Sequence, residues 1–171
     1  MASTSAEELR ALVQSSVEKL LREGKTLDIN NCLPEDTDFD VFLSHSYMDY
    51  EAIHCLKLKL EASGLRVYVD WFDLELDRSR VTGATADRLK ARMRHSEMLI
   101  YAISEHAMCS RWTNWELGYY DGINGNIVIF PISKNGEKAF EGQEYLSLYP
   151  YLTDVDKILE HYHLIRTNKS I

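Results

Sequence analysis

The chain predicts an α/β domain built on a parallel sheet, and three observations carry that prediction. Four short apolar runs recur along it: Asp40-Val41-Phe42-Leu43, Leu65-Arg66-Val67-Tyr68-Val69, Met98-Leu99-Ile100-Tyr101-Ala102-Ile103 and Asn126-Ile127-Val128-Ile129-Phe130. Each leads into a segment that reads as helix, the rhythm of strands joined by helical crossovers. The runs are nearly continuous in apolar character, as expected of strands covered on both faces. In open sheets of this class ligands sit at the carboxyl ends of the strands. The polar residues that follow the runs, Ser44, His45, Ser46, Asp70, Trp71, Ser104 and Glu105, therefore mark the rim where function is expected.

Taken in order, residues 6–23 set Leu9, Leu12, Val13, Val17, Leu20 and Leu21 at spacings of three and four, with Ser5 and Glu8 in a capping-box pattern and Gly24 as a stop. This is an amphipathic helix whose stripe packs on its own domain or pairs with another chain. Residues 25–38 hold Pro34, Asp36 and Thr37 and read as a linker, which divides the chain into a helix and linker at 1–37 and a main domain at 38–171. Residues 49–62 carry Ile53, Leu56, Leu58 and Leu60 and end at Ser63-Gly64, a helix closed by glycine. Residues 72–83 form a charged connection without period, long enough to suggest a functional loop. A third helix covers residues 85–95 on Leu89 and Met93, and a polar segment then leads to a helix carrying Trp112, Trp115, Glu116, Tyr119 and Tyr120. Beyond the fourth run, Tyr145, Leu146, Leu148, Tyr149, Tyr151 and Leu152 suggest a short fifth strand, and residues 155–163 a final helix.

Composition narrows the function classes. A chain of 171 residues, 45% of them hydrophobic, is long enough for one well-formed core and short for two catalytic domains. The formal charge of −8 and a pI near 5.2 oppose binding to a phosphate backbone, and the basic residues between 78 and 94 read as one solvated helix face with its loop. No apolar stretch approaches the ~20 residues of a membrane span and no secretory pattern opens the chain, so a cytoplasmic protein without membrane attachment is expected. Cys32, Cys55 and Cys109 are odd in number and include no CxxC pair, which suits a reducing compartment and gives neither a disulfide framework nor a zinc site. His161 and His163 lack the partners of a metal site and are expected at the surface.

Four segments together resemble the Toll/interleukin-1 receptor (TIR) domains, and specifically their bacterial and plant-type enzymatic members. They are Asp-Val-Phe-Leu-Ser-His-Ser at 40–46, Gly-Leu-Arg-Val-Tyr-Val-Asp at 64–70, the long connection after it, and Ser-Arg-Trp-Thr-Asn-Trp-Glu-Leu at 110–117. The resemblance covers about residues 38–160 and leaves the N-terminal helix outside. Thr113 stands where the family often has cysteine, and the long loop lacks the proline typical of receptor and adaptor members. The resemblance implies a flavodoxin-like three-layer sandwich with a central parallel sheet of four to five strands. It also implies cleavage of the bond between nicotinamide and ribose in NAD.

The residues can be matched to that chemistry. Breaking an N-glycosidic bond passes through an oxocarbenium-like centre, which a nearby carboxylate stabilises. Glu116 would be that carboxylate; because nicotinamide leaves NAD as a neutral group, one carboxylate can suffice. A capping box at Thr113-Asn-Trp-Glu116 is the structural alternative, with the glutamate turned back to the helix start. If the helix starts at Ser110, Glu116 lies in its second turn and can face the cleft. Trp112, four residues earlier, shares its face and would wall the pocket, with Trp115 in the core. Ser44, His45 and Ser46 could hydrogen-bond the ribose or carboxamide, or serve ordinary turn chemistry. Asp70 shares their rim, Trp71 could stack on a base, and Arg78 and Arg80 are candidates for the diphosphate or are solvated loop charges. No Gly-x-Gly-x-x-Gly follows a strand, so NAD would be a substrate and no cofactor is expected.

The family resemblance implies nicotinamide and either ADP-ribose or a cyclic ADP-ribose signal as products. A TIR domain without a visible sensor further suggests a signal producer in anti-phage immunity of the Thoeris type, reaching a separate effector through the nucleotide and assembling with other TIR protomers on activation. Two other classes stay open: a non-enzymatic interaction module working through its loops, and a nucleoside deoxyribosyltransferase-like enzyme, which shares the glycosidic chemistry.

Overall fold

A computed structural model describes residues 34, 36–73, 82–132 and 144–169 of the chain. Four strands, β1 (Phe39–Ser44), β2 (Val67–Tyr68), β3 (Ser96–Ile103) and β4 (Ile127–Pro131), pair in parallel in the order β2-β1-β3-β4. Among the described residues five helices accompany them: α1 (Tyr50–Ala62), α2 (Gly83–Arg94), α3 (Glu105–Cys109), α4 (Arg111–Ile123) and α5 (Val155–Lys169). Successive strand side chains point to opposite faces, and that alternation sorts the core into two layers. Phe42, Leu99, Tyr101, Ile103, Ile127 and Ile129 meet Leu89 and Met93 of α2 and Leu117 and Tyr120 of α4. Val41, Leu43, Met98, Ile100, Ala102 and Val128 meet Ile53, Leu56 and Leu60 of α1 and Ile158 and Tyr162 of α5. The three-layer α/β sandwich expected from the sequence is the fold observed.

Five expectations about local structure are corrected. The run at 65–69 forms only a two-residue β2, because Arg66 is already spent on β1, its carbonyl accepting from the Asp40 and Val41 amides, and Asp70 opens a 3₁₀ turn. Helix α2 starts at Gly83, two residues early, because the Thr82 hydroxyl accepts from the Thr85 amide. The polar segment after β3 is itself a helix, α3, capped by Ser104. The fifth strand is absent among the described residues: Glu144–Leu148 is a 3₁₀ turn, and Tyr151 makes a single parallel bridge to Ile129. Pro150 accepts from the Ile129 amide but has no N–H to extend a ladder. The final helix also continues past residue 163 to Lys169. The amphipathic helix read at 6–23 lies outside the described residues.

One buried ion cluster fixes where β2 gives way to the long connection. Asp73 accepts two bonds from Arg88, Nε to Oδ2 and Nη2 to Oδ1, both 3.1 Å, and one from Arg92 Nε to Oδ2 at 3.1 Å. The Tyr68 hydroxyl donates to the same Oδ2 at 3.1 Å. Arg92, fully buried, also donates to the Pro34 carbonyl and lies 5.7 Å from the centre of the Tyr68 ring. Burial pushes the Asp73 carboxyl up, but the hydrogen bonds and charges of Arg88 and Arg92 outweigh it and hold the group below the usual carboxylate range.

Removing that carboxylate strands two buried cations. Asp73→Ala is expected to lose about 3–5 kcal/mol of unfolding free energy at neutral pH in urea titrations. The carboxyl is depressed in the folded state, so its contribution is present above its unfolded value and is lost as pH falls through the folded one. The gap between wild type and variant therefore narrows as the pH drops below about 4.

Candidate active site at the sheet rim

The chain leaves β1 toward β2 on one side, while β3 lies on the other, so the crevice between the carboxyl ends of β1 and β3 is the topological switch point of the sheet. Ser44 ends β1 and is in register with Tyr101 of β3. One turn further, the Ser104 hydroxyl accepts from the Ala107 amide and donates to Asp49 Oδ2 at 2.5 Å, tying the end of β3 to the start of α1.

Helix α4 brings Glu116 to this crevice. Its buried residues are Thr113, Glu116, Leu117 and Tyr120, the three- and four-residue spacing of a core stripe, so a carboxylate occupies an otherwise core-facing position. The helix is capped by Ser110, whose hydroxyl accepts from the Thr113 amide, and Glu116 lies in its second turn. The capping-box alternative is thereby removed. Thr113 is spent on the corner between the two helices, donating to the Ala107 carbonyl at 2.7 Å, and the Asn114 amide donates to Met108 O at 3.3 Å. Asn114 Oδ1 accepts from the Tyr101 hydroxyl at 3.0 Å, which pins the corner to β3. Glu116 has 0% of its surface exposed, and Ser44 Oγ donates to its Oε2 at 2.6 Å. Burial, with the charge of Glu116 among the smaller contributions, pushes the Tyr101 phenol up to about 12.

His45 and Asp70 are turned onto each other. His45 Nδ1 donates to the Leu43 carbonyl at 2.8 Å, and Nε2 lies 3.1 Å from Asp70 Oδ1, with both side chains nearly free of solvent contact. The contact is attractive when the ring carries a proton on both nitrogens. It joins the end of β1 to the end of β2. Ser46 caps the 3₁₀ turn Tyr47–Asp49, its hydroxyl accepting from the Met48 amide, so it performs the turn chemistry that was its alternative. Trp71 packs edge-on against His45, ring centres 4.2 Å apart, and against Tyr50 at 4.6 Å. Its indole N–H is buried and has no acceptor among the described residues. Tyr47 and Met48 stand outside this cluster, 73% and 71% exposed.

The structure thus joins Ser44 to Glu116 and His45 to Asp70 and Trp71. Trp112 is half-buried and packs edge-on against Trp115 at 5.6 Å; Trp115 is half-buried too and stacks on Tyr119, so the division of the two into cleft and core does not hold. Arg78 and Arg80 lie outside the described residues. The sequence reading missed the tie between Asp49 and Ser104 and the corner built by Thr113 and Asn114. The alternation rule could have found the Ser44 contact, since it puts Ser44 on the same face as Phe42, under α4. Among the described residues no three His, Cys, Asp or Glu side chains are grouped to hold a metal ion, and no helix is long and apolar enough to cross a membrane.

A double-mutant cycle on His45→Ala and Asp70→Ala, read by chemical denaturation, is expected to return a coupling energy of about 1–3 kcal/mol, since the pair is buried and in contact.

Comparison with known proteins agrees with this geometry. Residues 41–159 match the TIR domain family (TIR_2). A protein of Bacillus cereus (strain MSX-D12) with the name "Probable 3' cyclic ADP-D-ribose synthase ThsB'" is 47% identical over 116 residues, which is 67% of this chain and 60% of that protein. A Cytobacillus dafuensis protein named for cyclic ADP-D-ribose synthesis, TIR2, is 26% identical over 115 residues, 66% of this chain and 30% of that protein. The chain therefore spans about three fifths of one relative's length and under a third of the other's. The family match covers most of the chain and all four strands' rim, and the chain belongs to the TIR domain family.

Proposed function

We propose that the chain is an NAD-consuming enzyme that breaks the nicotinamide–ribose bond and closes the freed ribosyl carbon onto a hydroxyl of the same ADP-ribose, releasing nicotinamide and a cyclic ADP-ribose. The observation that carries this reading is Glu116, a buried carboxylate bonded to Ser44 at the switch point of the sheet. As the N-glycosidic bond breaks, its electron pair goes to the pyridinium ring and nicotinamide departs neutral. Positive charge then develops on the ribosyl carbon and its ring oxygen, and a fixed carboxylate in a poorly solvated site stabilises it far more than one in water. A hydroxyl oxygen attacks the carbon and releases its proton; attack by water instead gives ADP-ribose. The names of both relatives favour the cyclic product, and that of the Bacillus cereus protein a 3' linkage.

Other residues of the rim fit supporting roles. Trp112 stands one helical turn from Glu116 and would wall the nicotinamide side. The Trp71 indole N–H, lacking an acceptor among the described residues, can meet a carbonyl or phosphate oxygen of the substrate. His45 and Asp70 hold the rim together and would shape the pocket without touching substrate. Because Glu116 has no exposed surface, turnover requires a form in which the atoms covering it move, and assembly with further TIR protomers would supply that trigger. The signal would then act on a separate effector in anti-phage immunity, within a cytoplasmic setting.

The test is mass spectrometry of the nucleotides formed from NAD, with purified protein alone and in lysate of phage-infected cells. Wild type is expected to yield nicotinamide with a cyclic ADP-ribose, and Glu116→Gln to lower the rate about a hundredfold or more. Unchanged turnover in that variant, or no nicotinamide from wild type in either setting, overturns the reading. ADP-ribose as the sole product would replace cyclisation by hydrolysis.

A further inference from the structure

Ser44 was a candidate for hydrogen-bonding the ribose or carboxamide of a substrate, and its surroundings give it different work. A serine hydroxyl has one proton to donate. Here that proton is committed to Glu116 Oε2 at 2.6 Å, within the short range of a bond from a hydroxyl to a carboxylate. Ser44 itself is 1% exposed, as buried as the carboxylate it meets. Both ends of the contact are held by regular structure. Ser44 is the last residue of β1 and is paired in register with Tyr101, and α4 is pinned by the bonds of Thr113 and Asn114 to the α3 carbonyls. The serine spans 72 positions of sequence to reach its partner, so this bond is made by the fold and by no local turn.

We propose that Ser44 is a positioning residue for Glu116, fixing the rotation of its carboxylate and favouring its charged form at the point where the ribosyl cation develops. This rests on the reading of Glu116 as the stabilising carboxylate. A carboxylate in a buried site is costly to keep ionised, and a donor aimed at one oxygen offsets part of that cost. Among the described groups on the elements packed around α4, Arg88 and Arg92 bind Asp73, Lys90 pairs with Asp87, Arg94 lies over the Tyr119 ring, His45 faces Asp70, Tyr101 donates to Asn114, and Glu105 and His106 of α3 are exposed. Ser44 is a donor to the Glu116 carboxylate that the strand itself provides.

Kinetics of NAD cleavage test this in wild type, Ser44→Ala, Ser44→Cys and Ser44→Thr. The alanine and cysteine variants are expected to lose about tenfold or more in kcat, with KM changed by about twofold at most. The acid limb of their kcat profile should move up by about one pH unit, since a tenfold weaker preference for the charged form is one unit. Ser44→Thr, which keeps the hydroxyl, should restore the limb. A rise in KM with kcat and the limb unchanged would overturn the proposal, because it would make Ser44 a substrate contact. A second readout needs no activity: the loss of melting temperature caused by Ser44→Ala should be larger at high pH, where Glu116 is charged, than at low pH, where it is protonated, and this difference should vanish in a Glu116→Gln background. The sign follows because weakening the donor raises the folded-state pKa of Glu116, which costs stability only where the group is charged. A pH-independent loss in both backgrounds would overturn the positioning role. Full activity of Glu116→Gln on its own would sink the reading of the glutamate, whatever the serine variants do.

Discussion

Burying a carboxylate on the core face of a helix is the constraint around which this molecule is arranged. Glu116 shares its stripe with Thr113, Leu117 and Tyr120, positions that an ordinary amphipathic helix would fill with apolar groups. An uncompensated charge there would unfold the domain or lose its ionisation. Part of the compensation comes from the sheet, through a serine at the end of β1. For that hydroxyl to arrive, β1 must end at Ser44, its alternation must put Ser44 on the α4 face, and α4 must be seated at a fixed height. The last condition explains the corner between α3 and α4. A single residue, Ser110, separates the two helices, and Thr113 and Asn114 turn their side chains back to the carbonyls of the first.

A second buried cluster on the same face of the sheet obeys different rules. Asp73 gathers Arg88, Arg92 and Tyr68, so the carboxylate is neutralised by full cations. Such pairing holds structure together but leaves the carboxylate little electrostatic reach. At Glu116 the contact from the sheet is of another kind, a neutral hydroxyl aimed at one oxygen.

How much of this was written in the chain varies with the range of the interaction. The α/β class, the parallel strands and both helical layers follow from periodicity, which is local and strong for Met98–Ile103 and Ile127–Phe130. The rim residues were named because strand ends are visible in the same pattern. Who pairs with whom was less visible. His45 and Asp70 read from sequence as two binding groups and form one contact, because the intervening chain returns β2 beside β1. Trp112 and Trp115 were divided between cleft and core on size alone, whereas both sit half-buried in one aromatic row with Tyr119. The run at 145–152 has the composition of a strand, and Pro150 stops the ladder there. Thr113 and Glu116 match a capping box in sequence, but Ser110 reaches the helix start first.

The shortness of β2 has a bearing on how copies of this chain can meet. An edge strand of two residues exposes too little backbone to template another sheet. The opposite edge, β4, is partly occupied where Ile129 bridges Tyr151. Among the described residues, the sheet therefore offers little edge backbone at β2 and a partly covered edge at β4. What protrudes beside this rim is side chain: Tyr47 and Met48 stand 73% and 71% exposed, bulky groups that water alone covers poorly.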